Sequence, residues 1–191
     1  MKTEKCLDLL ATLAGTASIP AGGNTPLFRA ADAVLTMARA YESDGRTFLV
    51  SGDPVNALAS AWYGSGWLHF GIAYGLLETS LPAGCPFLSP CEPLPPEARG
   101  KLEEKAGRYR RLLKTAGESV ACECDRSTPA GDFAERVLLI VACYSSQGET
   151  YCRAGLYGDA LACFSYGHGW LDAAVTSGLF RIVRNRELFT V

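Results

Sequence analysis

The sequence predicts an all-α protein made of two tandem three-helix, up-and-down bundles packed as a pseudo-two-fold pair. Three observations carry this prediction. The 191 residues repeat themselves at an offset of 103: aligned without a gap, residues 25–77 and 128–180 are identical at 20 of 53 positions, where unrelated segments would share roughly three or four. Apolar residues recur at three- and four-residue spacing through both copies, the period of a helix with one buried side. Finally, 48% apolar and 20% charged residues describe a chain able to bury a core, which sets aside disordered, collagen-like and coiled-coil classes.

The first helix is expected near residues 3–14. The Met1–Leu10 stretch has the look of a secretion signal, but Asp8 interrupts it, and Leu9, Leu10 and Thr12 are matched by Leu112, Leu113 and Thr115 inside the chain, so it reads as an ordinary helix. Thr25 then offers an N-cap with Pro26 at the first helical position, and the pair returns as Thr128-Pro129. Leu27, Ala31, Val34, Leu35, Ala38 and Tyr41 continue a long amphipathic helix, echoed by Ala134, Val137, Leu138, Val141 and Tyr144. Gly52 and Gly155 are placed to end these helices in the left-handed region, and Asp53-Pro54 caps the next one, whereas the second copy has the less specified Leu156-Tyr157-Gly158.

The third helix carries Ala57, Leu58, Ala61, Gly64, Ser65, Leu68, Ile72 and Gly75 on one face. Val55–Leu77 holds no Asp, Glu, Lys or Arg and is long enough to span a bilayer, but Asn56 and His69 become Asp159 and Asp172 in the second copy, which points to burial in protein instead. Between the copies, Leu81–Pro96 contains six prolines and two cysteines and reads as a wrapped connector. The first helix of the second copy is expected over Glu97–Glu118. The boundaries are therefore 1–80 for unit one, 81–96 for the connector and 97–183 for unit two. Trp62, Trp67, Phe70, Tyr74, Phe164 and Trp170 exceed what one small bundle hides, so the units should pack on each other, as a fused pseudo-dimer or, with a second chain, a homodimer.

The run Ala160-Leu161-Ala162-Cys163-Phe164-Ser165-Tyr166-Gly167-His168-Gly169-Trp170-Leu171-Asp172, followed by Gly178-Leu179-Phe180, resembles the signature helix of the archaeal domain of unknown function family numbered 357. The first copy resembles it through Gly52-Asp53-Pro54-Val55-Asn56-Ala57-Leu58-Ala59, but has His69 where the family pattern has an aspartate. The family's Gly-Asp-Tyr turn is also out of order around Gly155 and Asp159. The resemblance covers both units. It implies a helical bundle in an archaeal cytoplasm and brings no activity, substrate or catalytic residue with it.

Eighteen basic against 20 acidic side chains give a net charge of −2, so no overall field draws polyanions and nucleic acid is not an expected partner. The basic run Lys101, Lys105, Arg108, Arg110, Arg111 and Lys114, with Arg181, Arg184 and Arg186, reads as a solvated face lacking interleaved aromatics. Eight cysteines without a framework spacing suit a reducing, cytoplasmic setting. Cys85, Cys91, Cys122 and Cys124 lie outside the main helices, but their spacing differs from that of zinc knuckles, leaving thiols, a disulfide or zinc as open readings. His168 and Asp172 share a helical face and could form a hydrogen-bonded pair; a solvent-facing or capping role is the expected one, a metal-ligand or acid/base role the alternative. No nucleophile-elbow, Walker, zincin or dinucleotide fingerprint occurs, so no catalytic residue, cofactor or metal is assigned and no membrane span is expected.

Glycines at equal offsets in both third helices say that something lies close to the backbone, either a tight helix crossing or a ligand or partner. The first functional expectation is a non-catalytic protein-interaction or scaffold module that presents this glycine-aromatic face, with Tyr63, Gly64, Trp67, Tyr166 and Trp170, to an unknown protein partner. The alternative is a small-molecule or metal-binding protein, or an enzyme, whose polar pocket between the units is lined by Tyr63, Tyr166, His69, His168, Asp159 and Asp172.

Overall fold

A computed structural model describes residues 2–81 and 90–190. Six α-helices form two runs of three: α1 Thr3–Thr16, α2 Pro26–Val50 and α3 Pro54–Ala73, then α4 Arg99–Gly117, α5 Pro129–Arg153 and α6 Tyr157–Thr176. The all-α, two-copy architecture is as expected. The fourth helix is shorter than Glu97–Glu118, because Pro96–Ala98 takes one 3₁₀ turn before the α-helix begins.

The caps explain the boundaries. Thr25 Oγ1 accepts from Phe28 N–H at 3.0 Å and Thr128 Oγ1 from Gly131 N–H at 3.1 Å, each satisfying one of the donors left open at a helix start. Gly52 and Gly155 end α2 and α5 with φ of +76° and +73°, and the amides that follow, Asp53 and Leu156, reach back to Phe48 and Tyr151 carbonyls at 2.8 and 2.9 Å. This is the glycine-terminated helix stop in both copies. The unit-two turn is thus as sharp as the first despite lacking Asp-Pro; Leu156 simply precedes α6 with no side-chain cap.

One element escaped the sequence reading. Val120–Cys122 (β1) and Phe180–Ile182 (β2) pair antiparallel, with Ala121 opposite Arg181. The first copy has the same link in miniature, Ser18 and Glu78 exchanging two 2.9 Å backbone hydrogen bonds, and Ser18 and Glu78 are the residues 103 positions before Ala121 and Arg181. In each unit this ladder ties the segment after the first helix to the segment after the third. Three residues per strand give too little periodicity to be read from sequence.

The two helical units pack on each other. α3 and α6 cross at the centre of the molecule, with α1 and α2 flanking one side and α4 and α5 the other, and a single apolar core runs through both units. Nearly every residue of α3 from Val55 to Gly71 and of α6 from Asp159 to Ala174 is buried. The expected one-faced α3 is corrected accordingly: a helix apolar on all sides is one surrounded by protein. Among the described residues no helix is long and apolar enough to cross a membrane.

Candidate functional site

The glycines make the crossing possible. A methyl carbon placed on Gly66 would overlap the Tyr166 carbonyl oxygen and lie 3.1 Å from Gly169 Cα; one on Gly169 would overlap the Tyr63 carbonyl oxygen and lie 3.2 Å from Gly66 Cα. The two positions are equivalent in the repeat, so each meets its own counterpart across the pseudo-two-fold axis. Gly64 belongs to a different contact, against Leu10, Tyr41 and the Ala38 carbonyl of its own unit. Of the two expected explanations for these glycines, the close approach of another helix is the observed one. The glycine-aromatic face expected to receive a partner is therefore not exposed, because α3 and α6 bury it against each other.

Around the crossing, side chains reach from one unit to the other. Tyr63 Oη donates to Asp172 Oδ2, and Tyr166 Oη bonds His69 Nδ1 at 2.9 Å. Positions 69 and 172 are equivalent in the repeat, as are 63 and 166, so one exchange is made twice, once with an imidazole and once with a carboxylate. Tyr63 also packs edge-on against His168, ring centroids 5.4 Å apart. Burial, reinforced by Asp172, holds the Tyr63 phenol well above its ordinary pKa, which keeps it a donor. Burial lowers the His69 pKa to about 4 and lowers that of His168 as well, so both rings are neutral at pH 7.

His168 and Asp172 share a face as expected but turn to different partners. His168 Nε2 lies 3.1 Å from the Leu188 carbonyl, which can only accept, so the proton sits on Nε2. Asp172 Oδ2 takes a second bond from Thr190 Oγ1 at 2.7 Å, while its Oδ1 has no partner. Residues 184–190, beyond the expected end of unit two, therefore complete this cluster: Leu188, Phe189 and Thr190 fold back over α6. Nothing in their composition announces that contact.

Because Tyr63 bonds a buried carboxylate and Tyr166 a neutral ring, Tyr63→Phe should cost roughly 2 to 3 kcal/mol and Tyr166→Phe roughly 1. Urea unfolding of the two variants checks this; equal losses would mean that Asp172 does not depend on Tyr63.

The six-residue polar pocket expected between the units is not assembled as such. Asp159 lies 13 residues before Asp172, roughly 20 Å along α6 at the helical rise per residue, and accepts from the Cys91 amide at 2.7 Å. It fastens the connector to the start of α6. Tyr166, His69 and Asp172 are consumed by the cross-unit bonds. Tyr63 and His168 face a cavity of about 160 Å³ shared with Tyr41, Tyr109 and Ser60, smaller than the roughly 300 Å³ at which ligand pockets begin, while Asp159 lines a separate one of about 340 Å³ under the connector, with Cys91 and Leu102. The Tyr41 ring lies tilted against that of Tyr63, centroids 4.5 Å apart, and burial raises the Tyr41 phenol to about 12.

The larger opening is a cleft of about 700 Å³ over Trp67. Around Trp170, the counterpart of Trp67, Phe70 packs edge-on at 5.8 Å and Phe133 stacks at 6.4 Å, with Tyr74 stacked on Phe133 at 4.8 Å. The residues equivalent to Phe70, Tyr74 and Phe133 are Ala173, Ser177 and Ala30. Three aromatic rings surround Trp170 on one side of the molecule, and small residues stand at the equivalent positions on the other, where Trp67 is fully buried. Thus Trp67 and Trp170, named together in the sequence, do different things: Trp170 is a core stack and Trp67 the floor of a cleft.

The remaining sequence candidates fall into place. Lys105 is buried, donates to Asn56 Oδ1 and lies 5.2 Å over the Tyr109 ring; Lys101 pairs with Asp53 at 2.7 Å, Arg181 with Glu123 at 2.6 Å and Arg184 with Glu118 at 3.8 Å. Four of the basic residues, Lys101, Lys105, Arg181 and Arg184, thus have acidic or amide partners. Cys85 lies outside the described residues. Cys91 sits beside Asp159, whereas Cys122 Sγ bonds the Cys124 carbonyl at 3.4 Å on β1. Among the described residues no group of three or more His, Cys, Asp or Glu is placed to hold a metal ion.

A helical unit present twice, its central helices crossing through glycine and exchanging tyrosine bonds, defines a duplicated α-helical protein with one joint core. The chain belongs to the family described as protein of unknown function (DUF357), which matches residues 7–77 and 108–180, one match per copy. No curated protein and no solved structure matches the chain.

Proposed function

We propose that this protein is a non-catalytic small-molecule-binding protein whose site is the cleft over Trp67, between α2 of the first unit and α6 and the C-terminal segment of the second. The observation that carries this reading is the cleft itself, which lies over the fully buried Trp67 and is walled by side chains of both units. At about 700 Å³ the cleft is in the range of drug-sized ligand sites. Ala33, Met37, Val175 and Ile182 give it apolar walls. A protein-interaction role would need a surface other than the glycine-aromatic helices, which are buried. The cytoplasm is the setting of this proposal, supported by the free thiols of the seven described cysteines.

Naphthalene-2-methanol, an uncharged planar probe, should bind the protein at one site in calorimetry. Ala33→Phe, which places a ring in the cleft wall, should abolish binding while the thermal melt stays cooperative. Binding that survives this change, or no binding at all, would overturn the reading.

A further inference from the structure

We infer that the outward face of α5 is a self-association surface, on which the α5 of a second copy of this chain lies antiparallel across a two-fold axis. No residue lining the cleft over Trp67 belongs to α5, so the inference goes beyond the function proposed above and does not depend on it.

The face is set by what α5 buries. Ala134, Val137, Val141 and Gly148 turn inward onto the core, and Arg136, Leu139, Cys143 and Ser146 follow one another at three- and four-residue steps on the exposed side. That spacing keeps a stripe in line along a helix and is the one by which two helices pair at a shallow crossing angle. From Val137 to Gly148 there is no Asp, Glu, Lys or Arg, whereas the equivalent stretch of α2, Val34 to Gly45, contains Arg39, Glu42 and Asp44. Leu138 and Leu139, 38% and 63% exposed, stand where α2 has the buried Leu35 and the polar Thr36. The solvent side of an outer helix ordinarily carries charge. Its loss here, in one copy only, is what burial against another helix accounts for.

The ends of the stripe say which helix. Asp132 and Arg136 stand at its start and Glu149 and Arg153 at its end, all four exposed. Each end has an acid followed four residues later by a base. Laid antiparallel about a point between Ala142 and Cys143, two such helices bring Asp132 level with Arg153 of the second copy and Arg136 level with its Glu149. The two-fold axis repeats both pairs, the self-complementary pattern of an isologous contact. A parallel arrangement would set Asp132 against Asp132 and Arg136 against Arg136, which like-charge repulsion opposes. Among the described residues none of these four makes an ion pair within its own chain. By contrast Arg46, the α2 residue equivalent to Glu149, pairs with Asp8 and Glu42, and Glu135, the other exposed acid near the start of α5, lies 3.7 Å from Arg126. At the centre Ala142, Cys143 and Ser146 are small, which lets the helix axes approach to the roughly 8 Å of close pairs.

Sedimentation of the full chain over a range of concentrations tests this. A dimer is expected, and a short bismaleimide should join two chains through Cys143, which lies beside the axis. Cys143→Ser should lose that cross-link and keep the dimer. Leu139→Glu and Arg136→Glu should each weaken association by roughly tenfold or more while the thermal melt stays cooperative. Arg136→Glu/Glu149→Arg, which restores opposite charges, should recover the dimer. A monomer at every concentration overturns the inference. So does a dimer that persists in Leu139→Glu and gives no Cys143 cross-link, because it uses another surface. An Arg136→Glu defect that the double exchange leaves unrepaired overturns it as well, because the helices then do not pair antiparallel.

Discussion

Replacing Gly169 with alanine is expected to destabilise the protein by about 3 kcal/mol or more, the upper end of overpacking costs, and to lower the melting temperature by roughly 6 to 12 °C for a chain of this size. The added methyl would overlap the Tyr63 carbonyl oxygen, and the next nearest atom is Gly66 Cα. Both belong to backbone, so no side chain can swing aside and the helices must separate. Separation in turn stretches the Tyr63–Asp172 and Tyr166–His69 bonds. The contrasting substitution is Gly107→Ala in the middle of α4, where the nearest atom is Arg111 Nη1 at 3.8 Å; there the change should stabilise by roughly 0.5 to 1 kcal/mol through helix propensity. Urea unfolding of both variants gives the comparison. A mild effect of Gly169→Ala would mean that the crossing tolerates a wider spacing.

Acidification gives the second large effect. The His69 pKa is 6.5 for an ordinary side chain and about 4 when folded, because burial disfavours the charged ring. Between those values the unfolded chain binds the proton and the native state does not, so stability is complete above pH 6.5 and falls as the pH is lowered towards 4. The loss amounts to about 3 kcal/mol across the window. His168 adds a contribution of the same sign, since burial outweighs the opposing influence of Asp172 and the Leu188 carbonyl. His69→Gln, whose amide can still meet Tyr166, should flatten the profile in part, and His69→Gln/His168→Gln should remove most of it above pH 4.5. Unfolding midpoints at pH 7, 5.5 and 4.5 test this; parallel losses in the wild type and the double variant would assign the acid sensitivity to carboxylates instead.

The repeat made most of the fold legible. Twenty shared positions, the Thr-Pro caps and the glycine stops each state a local preference, and such preferences survive in the structure because tertiary contacts agree with them. The position of α3 and α6 was harder to read. Their apolar residues were assigned to one face, although the missing polar face was itself the signal that these helices are enclosed. The partners of Tyr63 and Tyr166 could not be read at all, since a hydrogen bond between residues 109 or 97 positions apart leaves no local pattern. Asp159 shows the opposite limit: it looked like a companion of Asp172 by its chemistry, and the length of a helix separates them. The cleft over Trp67 could not be read from the sequence either, since its walls come from α2, α6 and the C-terminal segment, far apart in the chain.

A position that touches its own counterpart, as Gly66 touches Gly169, is the hallmark of an isologous dimer contact. In a homodimer of identical subunits every substitution appears on both sides of the axis at once, so an acid facing one tyrosine forces an acid facing the other, and a pocket opened on one flank opens on both. Joining the two copies in one polypeptide releases that constraint. Each half is free to specialise while the shared seam keeps them registered, and the carboxylate at residue 172 facing one tyrosine, with the imidazole of residue 69 facing the other, is what such freedom permits.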